Sequence, residues 1–235
     1  MQCYAAFLKD HQADFSALDL CNIPEKSPTF SSFPDILSQH GFDTQMEQLD
    51  VAPAIQLPDE WAGYLSLLDK KNRHELRRKM RRANGNMHEV DWYIVDDTHD
   101  LEEQLELFIT LMAASDSEKE EFLQDDMNTA FFRELIPVLF EKGWVQLNFL
   151  TVDGEAAAAY LNLDYDNQIL VYNSGLLRGD HDHLSPGIIL LAHNIRYAID
   201  HKYQVFDFLR GDEPYKYHMG GKNMAVYALQ AQVND

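Results

Sequence analysis

Between Trp144 and Leu209 the sequence sets out three strands, a polar loop at 175–184, a helix and a fourth strand. Residues 144–152, 155–164 and 168–174 read as strands. Asp153-Gly154 and Asp166-Asn167 separate them, and both pairs suit two-residue turns with positive φ. Connections that short make neighbouring strands antiparallel, so the three form a meander. Ser185-Pro186-Gly187 then opens a helix, with Pro at or near its first position. Ile188, Leu191, Ile195 and Ala198 or Ile199 supply its apolar stripe, and a strand from Gln204 to Leu209 follows. A helix that links two strands of one sheet leaves them parallel. A mostly antiparallel sheet with one parallel pair is uncommon. Where the parallel neighbours splay, a slot opens with a helix N-terminus pointing into it.

The flanking sequence is read in the same way. Residues 88–95 form a strand. Asp100 and Glu103 cap a helix carrying Leu101, Leu105, Phe108 and Met112, and Ser115 to Asp126 reads as an acid-rich loop. A helix from about Thr129 to Lys142 stops at Gly143. Upstream, Trp61, Tyr64, Leu65 and Leu68 recur at helical spacing. Asn72 and Glu75 suit a capping box for a helix whose apolar face holds Leu76, Met80 and Ala83. Asn84-Gly85 ends that helix, since both residues tolerate a left-handed backbone. Residues 1–57 are broken by Pro24, Pro28, Pro34 and Pro53, with short helices expected around 11–19 and 32–41. That stretch looks too small to bury a core alone. A helical turn at 213–219, a break at Gly220-Gly221 and a strand from Ala225 to Val233 finish the chain.

Composition narrows the classes. A chain of 235 residues with 46% hydrophobic content is one large domain or two small ones, neither disordered nor collagen-like. Its two cysteines, Cys3 and Cys21, make no disulfide framework and suit a reducing cytoplasm. The longest apolar runs fall short of the roughly 18 residues that cross a bilayer, and Met1 to Asp14 lacks the apolar core of a signal peptide. The net charge of −20 opposes general nucleic-acid binding. Yet residues 70–82 hold eight of the 19 basic residues and one acid. Such a segment could hold an anionic ligand, pair with acids elsewhere in the chain, or stand as a solvated face.

The segments LPDEWAGYLSLLDKKNRHELRRKMRR (57–82), GW (143–144), SPG (185–187) and FDFLRGDEPYKY (206–217) resemble the GNAT (Gcn-related N-acyltransferase) superfamily. Within it they resemble the CelD-like acetyltransferases, which are similar to the Fem-type peptidoglycan aminoacyl transferases. The resemblance covers about 57 to 233. It implies an α+β GNAT fold, a mixed and mostly antiparallel sheet with helices on both faces and a splayed parallel pair. It divides the chain into residues 1–57, the tail of a first GNAT-like half, and 58–235, the acyltransferase domain.

It also implies a thioester donor, acyl-coenzyme A and most simply acetyl-coenzyme A, and an amine acceptor. The donor diphosphate needs backbone N–H groups at a helix start. Gly187, Ile188 and Ile189 are placed to offer them, with Ser185 as cap or extra donor. The family's R/Q-x-x-G-x-G/A loop is not well kept, since Arg178 and Gly179 come early. A strand bulge would supply one N–H to the developing oxyanion, which points to Asn173, Ser174 and Gly175. Lys216 matches an aromatic-Lys pair of the Fem-type enzymes and is a second oxyanion candidate; its alternative is a salt bridge to Asp212 or Glu213.

Asp207 points away from Phe206 and Phe208 in an extended strand. It is a candidate base, directly or through water, or a buried partner for Arg210 or a backbone group. Tyr215 or Tyr217 could protonate the leaving thiolate, and Tyr172 could line the acceptor side. By the same resemblance Arg73, Arg77 and Arg78 are candidates for holding a phosphorylated substrate. His181 and His183 lack a partner motif for metal, so no metal is expected, and no G-x-S-x-G elbow points to a covalent nucleophile. Two rival readings stand beside acyl transfer from coenzyme A: an aminoacyl transferase using charged transfer RNA, and a non-catalytic GNAT-like module supporting polysaccharide or envelope synthesis.

Overall fold

A computed structural model describes residues 1–85 and 87–233. In chain order its elements are α1 (Gln2–Asp10), β1 (Ala17–Pro24), α2 (Pro28–Gln39), β2 (Phe42–Val51), β3 (Ala54–Gln56), α3 (Trp61–Leu67), α4 (Lys70–Ala83) and β4 (Val90–Ile94). Then follow α5 (Leu101–Ser115), α6 (Ser117–Gln124), α7 (Asp126–Glu141), β5 (Val145–Val152), β6 (Glu155–Tyr165) and β7 (Gln168–Leu176). A 3-10 turn (Asp182–Leu184), α8 (Pro186–Asp200), β8 (Val205–Asp207), α9 (Pro214–His218) and β9 (Ala225–Val233) complete the chain. These elements fall into two compact units. One comprises Met1–Ala54, Leu209–Tyr217 and the chain from Gly221 onward; the other comprises Ile55–Phe208 with His218–Gly220.

The first unit is a three-stranded sheet of order β1-β9-β2. The expected helix at 11–19 is not formed: Gln2–Asp10 is the helix, and Ala17–Pro24 is a strand. The second expected helix, 32–41, is present as Pro28–Gln39. There Ser27 accepts a hydrogen bond from the Thr29 N–H and Pro28 opens the first turn. β9 is the central strand, so Leu229 faces Leu20 on one side and Met46 on the other. Ala5, Leu8, Ile23, Phe33, Leu37 and Phe42 close over Leu229 and Ala231 to make a core. The N-terminal segment does not bury that core alone; its central hydrophobes come from the other end of the chain.

The second unit carries a six-stranded sheet of order β3-β8-β7-β6-β5-β4. The β5–β6–β7 meander forms as its turn residues require, with φ of +54° and +84° at Asp153-Gly154 and +50° and +59° at Asp166-Asn167. Val145, Leu147 and Phe149 alternate onto one face with Ala159 and Leu161 of β6. Leu105, Phe108 and Met112 of α5 and Phe132 and Ile136 of α7 cover that face. Each such side chain, withdrawn from water, contributes about 1.5–3 kcal/mol. The opposite face carries Gln146, Asn148 and Asn162, all buried. α8 packs on β5, β6 and β7 and contributes Leu190, Leu191, Ile195 and Ala198 to the buried interior.

Three local expectations change. The acid-rich loop at 115–126 is largely helical, because Asp116 accepts from the Lys119 N–H and Glu118 and Glu120 sit in the first turn of α6. α4 starts two residues before Asn72: Asp69 is its cap and takes both the N–H and the side-chain amide of Asn72. Its end at Asn84 uses φ of −80° rather than a left-handed residue.

The parallel pair is β7 and β8, joined through α8. Their register holds for three pairs: Gln168 with Val205, Ile169 with Phe206 and Leu170 with Asp207. β8 then ends, shorter than the 204–209 expected, and Leu209 takes φ of +55°. β7 continues to Leu176 without it.

Candidate functional site

The parting of β7 from β8 is the feature around which the predicted residues can be placed. Along β7 the register with β6 jumps from Asn162–Val171 to Leu161–Asn173. Tyr172 is the extra residue of a β-bulge, 39% exposed, with its ring edge-on to Phe132. A bulge leaves one residue outside the ladder and re-aims its backbone. It therefore lies immediately before the expected Asn173–Gly175.

Beyond the bulge, β7 is held by groups that sequence reading did not name. The Ser174 N–H donates to Asn173 Oδ1 at 2.8 Å, and the Ser174 carbonyl accepts from Lys119 Nζ at 2.6 Å. The Leu176 N–H donates to Ser115 Oγ at 2.8 Å. Gly175 lies against α5, where a Cβ would come within 2.7 Å of Leu111 and Met112 main-chain atoms. Of the three residues expected to contact a donor, Ser174 and Gly175 are thus also the seam between β7 and the α5–α6 corner. The sequence signal for Lys119 was its position three residues after a capping aspartate, in a stretch whose acids read as a loop.

At the start of α8, Ser185 adopts φ of +59° and ψ of +55°, uncommon for a residue with a Cβ. Its side chain does not cap the helix as expected. Its Oγ instead accepts from Lys79 Nζ at 2.5 Å. The Ile188 and Ile189 N–H groups both donate to the Ser185 carbonyl, so these two expected diphosphate donors are engaged within the first turn. Among the described residues Gly187 is the first-turn residue whose amide is not taken up there. A Cβ at Gly187 would meet only a Leu176 methyl at 3.7 Å, so the backbone is open to close approach. Arg82 Nη1 donates to the His183 carbonyl at 2.7 Å. The two cations that α4 brings to this helix start are therefore Lys79 and Arg82.

The three basic residues named from sequence separate. Arg73 donates to the Leu65 carbonyl at 3.5 Å and bridges α4 to α3. Arg78 is bidentate on Glu75, at 2.6 and 2.9 Å, and that guanidinium holds the exposed Glu75 carboxyl below the usual carboxylate range. Arg77 lines a cleft of about 490 Å³ with Trp61, Leu65, His74, Met80, Arg81 and Asn84.

Asp207 is 7% exposed and is the last residue of β8 to pair with β7. Tyr215 and Lys216 belong to the other unit. There the Lys216 ammonium, 2% exposed, donates to the carbonyls of Leu209, Arg210 and Gly211 at 2.8–3.2 Å and pairs with Glu213 at 2.8 Å. It is not a solvated lysine. It ties the 209–213 turn together, and the turn's Arg210 pairs with Asp50 at 2.9 Å. Burial, reinforced by Glu213, pushes the Tyr215 phenol up to about 12. Tyr217, the other tyrosine offered as an acid, is partly buried on the same short helix.

The His181–His183 pair sits near His88, with ring centroids 5.3 and 5.6 Å from the His88 ring, and His88 Nδ1 bonds Asp153 Oδ2 at 2.7 Å. Among the described residues no set of three or more His, Cys, Asp or Glu is arranged to hold a metal ion. No helix among them is long and apolar enough to cross a membrane.

No curated protein sequence matches the chain. Solved structures share its fold at low identity. FemX is 12% identical, with a TM-score of 0.65 over 96% of this chain and 76% of its own. L-PGS from Bacillus licheniformis is 11% identical, with a TM-score of 0.62 over 98% and 72%. A conserved protein of unknown function from Bacteroides thetaiotaomicron VPI-5482 is 10% identical, with a TM-score of 0.65 over 98% and 74%. The sequence model for the acetyltransferase (GNAT) domain matches residues 70–217, from the start of α4 into α9 and so across the whole β7–α8–β8 crossover. The α+β architecture is the GNAT fold, and the chain belongs to the acetyltransferase (GNAT) domain family.

Proposed function

We propose that the chain is an acyl-coenzyme A-dependent N-acyltransferase, acetyl being the simplest acyl group, acting on an amine by direct attack. The observation that carries this reading is the divergence of β7 and β8 after three paired residues, with the start of α8 following the unpaired strand. The donor diphosphate is assigned to the Gly187 amide and the cations Lys79 and Arg82, where a helix-start N–H and positive side chains act together. The acyl group is assigned to the bulge at Tyr172–Asn173, whose off-ladder N–H meets the requirement for an oxyanion donor.

In the reaction the amine nitrogen bonds to the thioester carbonyl carbon, and the carbonyl oxygen gains the charge. Collapse breaks the C–S bond. Asp207, directly or through one water, takes the amine proton, and the coenzyme thiolate takes a proton from solvent as it leaves. Tyr215 is a weak choice of acid for that step: burial and Glu213 raise its phenol to about 12, so it holds its proton more tightly than an ordinary phenol does. Lys216 is assigned to the 209–213 turn rather than to the oxyanion, since carbonyls and Glu213 surround its ammonium. The likeness to CelD-type acetyltransferases in the 57–82 and 206–217 segments agrees with this reading.

Acetyl-coenzyme A at 100 times its dissociation constant should stabilise the fold by about 2.7 kcal/mol. Thiol release on an amine panel should fall by about 10²-fold or more in Asp207→Asn, in line with loss of general-base catalysis. No thermal shift at millimolar acetyl-coenzyme A would end the coenzyme reading. A shift without turnover on any amine would favour the binding-module alternative. One observation favours a second reading, aminoacyl transfer from charged transfer RNA. Apart from Arg78 and Lys79, both set against Glu75, the basic residues of α4 make no ion pair among the described residues. FemX and L-PGS, whose folds are alike, keep that reading open.

A further inference from the structure

α3 and α4 meet at a corner. Leu68 is buried there with extended backbone, Asp69 caps α4, and Arg73 reaches back to the Leu65 carbonyl. Residues of both helices line a cleft of about 490 Å³. Its apolar lining is Trp61, whose ring centroid is 4.8 Å from that of Tyr64, with Leu65 and Met80. The lining also carries two guanidinium groups and an imidazole. His74, Arg77 and Arg81 recur at three- and four-residue spacing and so share a helix face.

The charge state of that face is informative. Arg78, beside Arg77, is bidentate on Glu75, and Arg133 on α7 is likewise bidentate on Glu106. Among the described residues Arg77 and Arg81 have no carboxylate within ion-pair distance, in a chain with 39 acidic residues. Instead the two arginines lie one turn apart, Arg81 Nε donating to the Arg77 carbonyl at 3.4 Å. Like charges at that spacing disfavour the helix unless an anion lies between them. Two planar forks and an imidazole match the several oxygens and double charge of a phosphate better than a carboxylate. The indole offers a stacking surface to a ring beside it.

We propose that the α3–α4 cleft binds a phosphate ester with a ring-bearing or otherwise apolar body, its phosphate on Arg77 and Arg81 and its body against Trp61, Leu65 and Met80. This site goes beyond acyl transfer. α4 meets the start of α8 through Lys79 and Arg82, and the cleft uses neither.

Calorimetry on the full chain with 1-naphthyl phosphate, 1-naphthol, 1-naphthoate and inorganic phosphate tests it. The phosphate ester should bind at least tenfold more tightly than each of the other three. An Arg77→Gln/Arg81→Gln variant should lose at least tenfold of that affinity, whereas Arg78→Gln should lose none. Binding of acetyl-dephospho-coenzyme A, which keeps the diphosphate and lacks the phosphate monoester, should be the same in all three proteins, so loss of the donor reading and loss of this one are separable. On the unaltered chain the ester should shift the Trp61 indole N–H resonance, identified through Trp61→Phe. Vesicles of phosphatidylglycerol that bind the chain through Arg77 and Arg81, and that compete with the ester, would assign the phosphate to a lipid headgroup. Absence of vesicle binding would assign it to a soluble ester. Equal binding of ester and inorganic phosphate, or wild-type affinity in the double variant, would overturn the proposal.

Discussion

The two units reach the same end, a sheet with a buried face, by opposite routes. In the second unit β5, β6 and β7 are consecutive in the chain and joined by two-residue turns, so each strand finds its neighbour within a few residues. In the first unit the central strand is the last one of the chain, and β1 and β2 pair with it and not with each other. Local turn chemistry can build the first kind of sheet. The second kind must wait for closure of a loop containing nearly the whole protein, whose entropic cost is met only when Leu229 and Ala231 are buried. The difference is between a core that its own segment completes and one that depends on a distant strand.

The most severe way to break that comparison is to remove β9. Ending the chain after Met224 should abolish amide-exchange protection in 17–24 and 42–51, because the central partner of both strands is gone. Protection in 145–152, 155–165 and 168–170 should persist. Loss of protection in both sets would show that the second core also needs the last strand. The milder Leu229→Ala should cost about 2–5 kcal/mol, the range for a fully buried leucine, read from thermal or denaturant unfolding.

The same difference decides what the sequence discloses. The meander, the crossover helix and the parallel pair are readable because Asp153-Gly154, Asp166-Asn167 and Ser185-Pro186-Gly187 act on their immediate neighbours. The first residues of β1, Ala17 to Asp19, fall within the helix expected at 11–19 because Ala-Leu-Asp has weak local preferences and gains its strand conformation from β9. At the candidate site the helix start and the strand end were found, but not the side chains that hold them. Lys79, Arg82, Ser115 and Lys119 each bond a residue far along the chain, and no spacing rule connects such pairs. Lys216 is singled out by likeness of motif, yet its surroundings, three carbonyls and a glutamate, follow from how the chain folds back on itself.

A smaller change sharpens the picture of the second unit. Gly175→Ala places a methyl within 2.7 Å of α5 main-chain atoms, which cannot swing aside as a side-chain tip would. Either α5 or β7 must shift, at about 1–3 kcal/mol, the usual cost of overpacking. The loss should appear as a lower unfolding midpoint, with faster amide exchange at 101–115 and 171–176 and no change at 42–51. An unchanged midpoint would mean that α5 does not press on β7 at this residue.

The smallest effect is a titration. His193 on α8 stacks on Trp92 of β4, with ring centroids 4.9 Å apart. Burial first, and the positive charge of Arg196 second, hold its imidazole below the ordinary value of 6.5. The unfolded chain therefore takes up this proton at a higher pH than the folded one does. The stability associated with neutral His193 is complete above about pH 6.5 and declines as pH falls toward the folded value. One proton bounds the slope at about 1.4 kcal/mol per pH unit. Unfolding midpoints of the wild-type chain and of His193→Phe, compared from pH 7.5 to pH 5, should diverge below 6.5, with wild type the one that loses more. Amide exchange should place that loss in α8 and β4, while β1, β2 and β9 follow the same course in both proteins. Parallel midpoints across the whole range would show that the histidine is as free to charge in the folded chain as in the unfolded one.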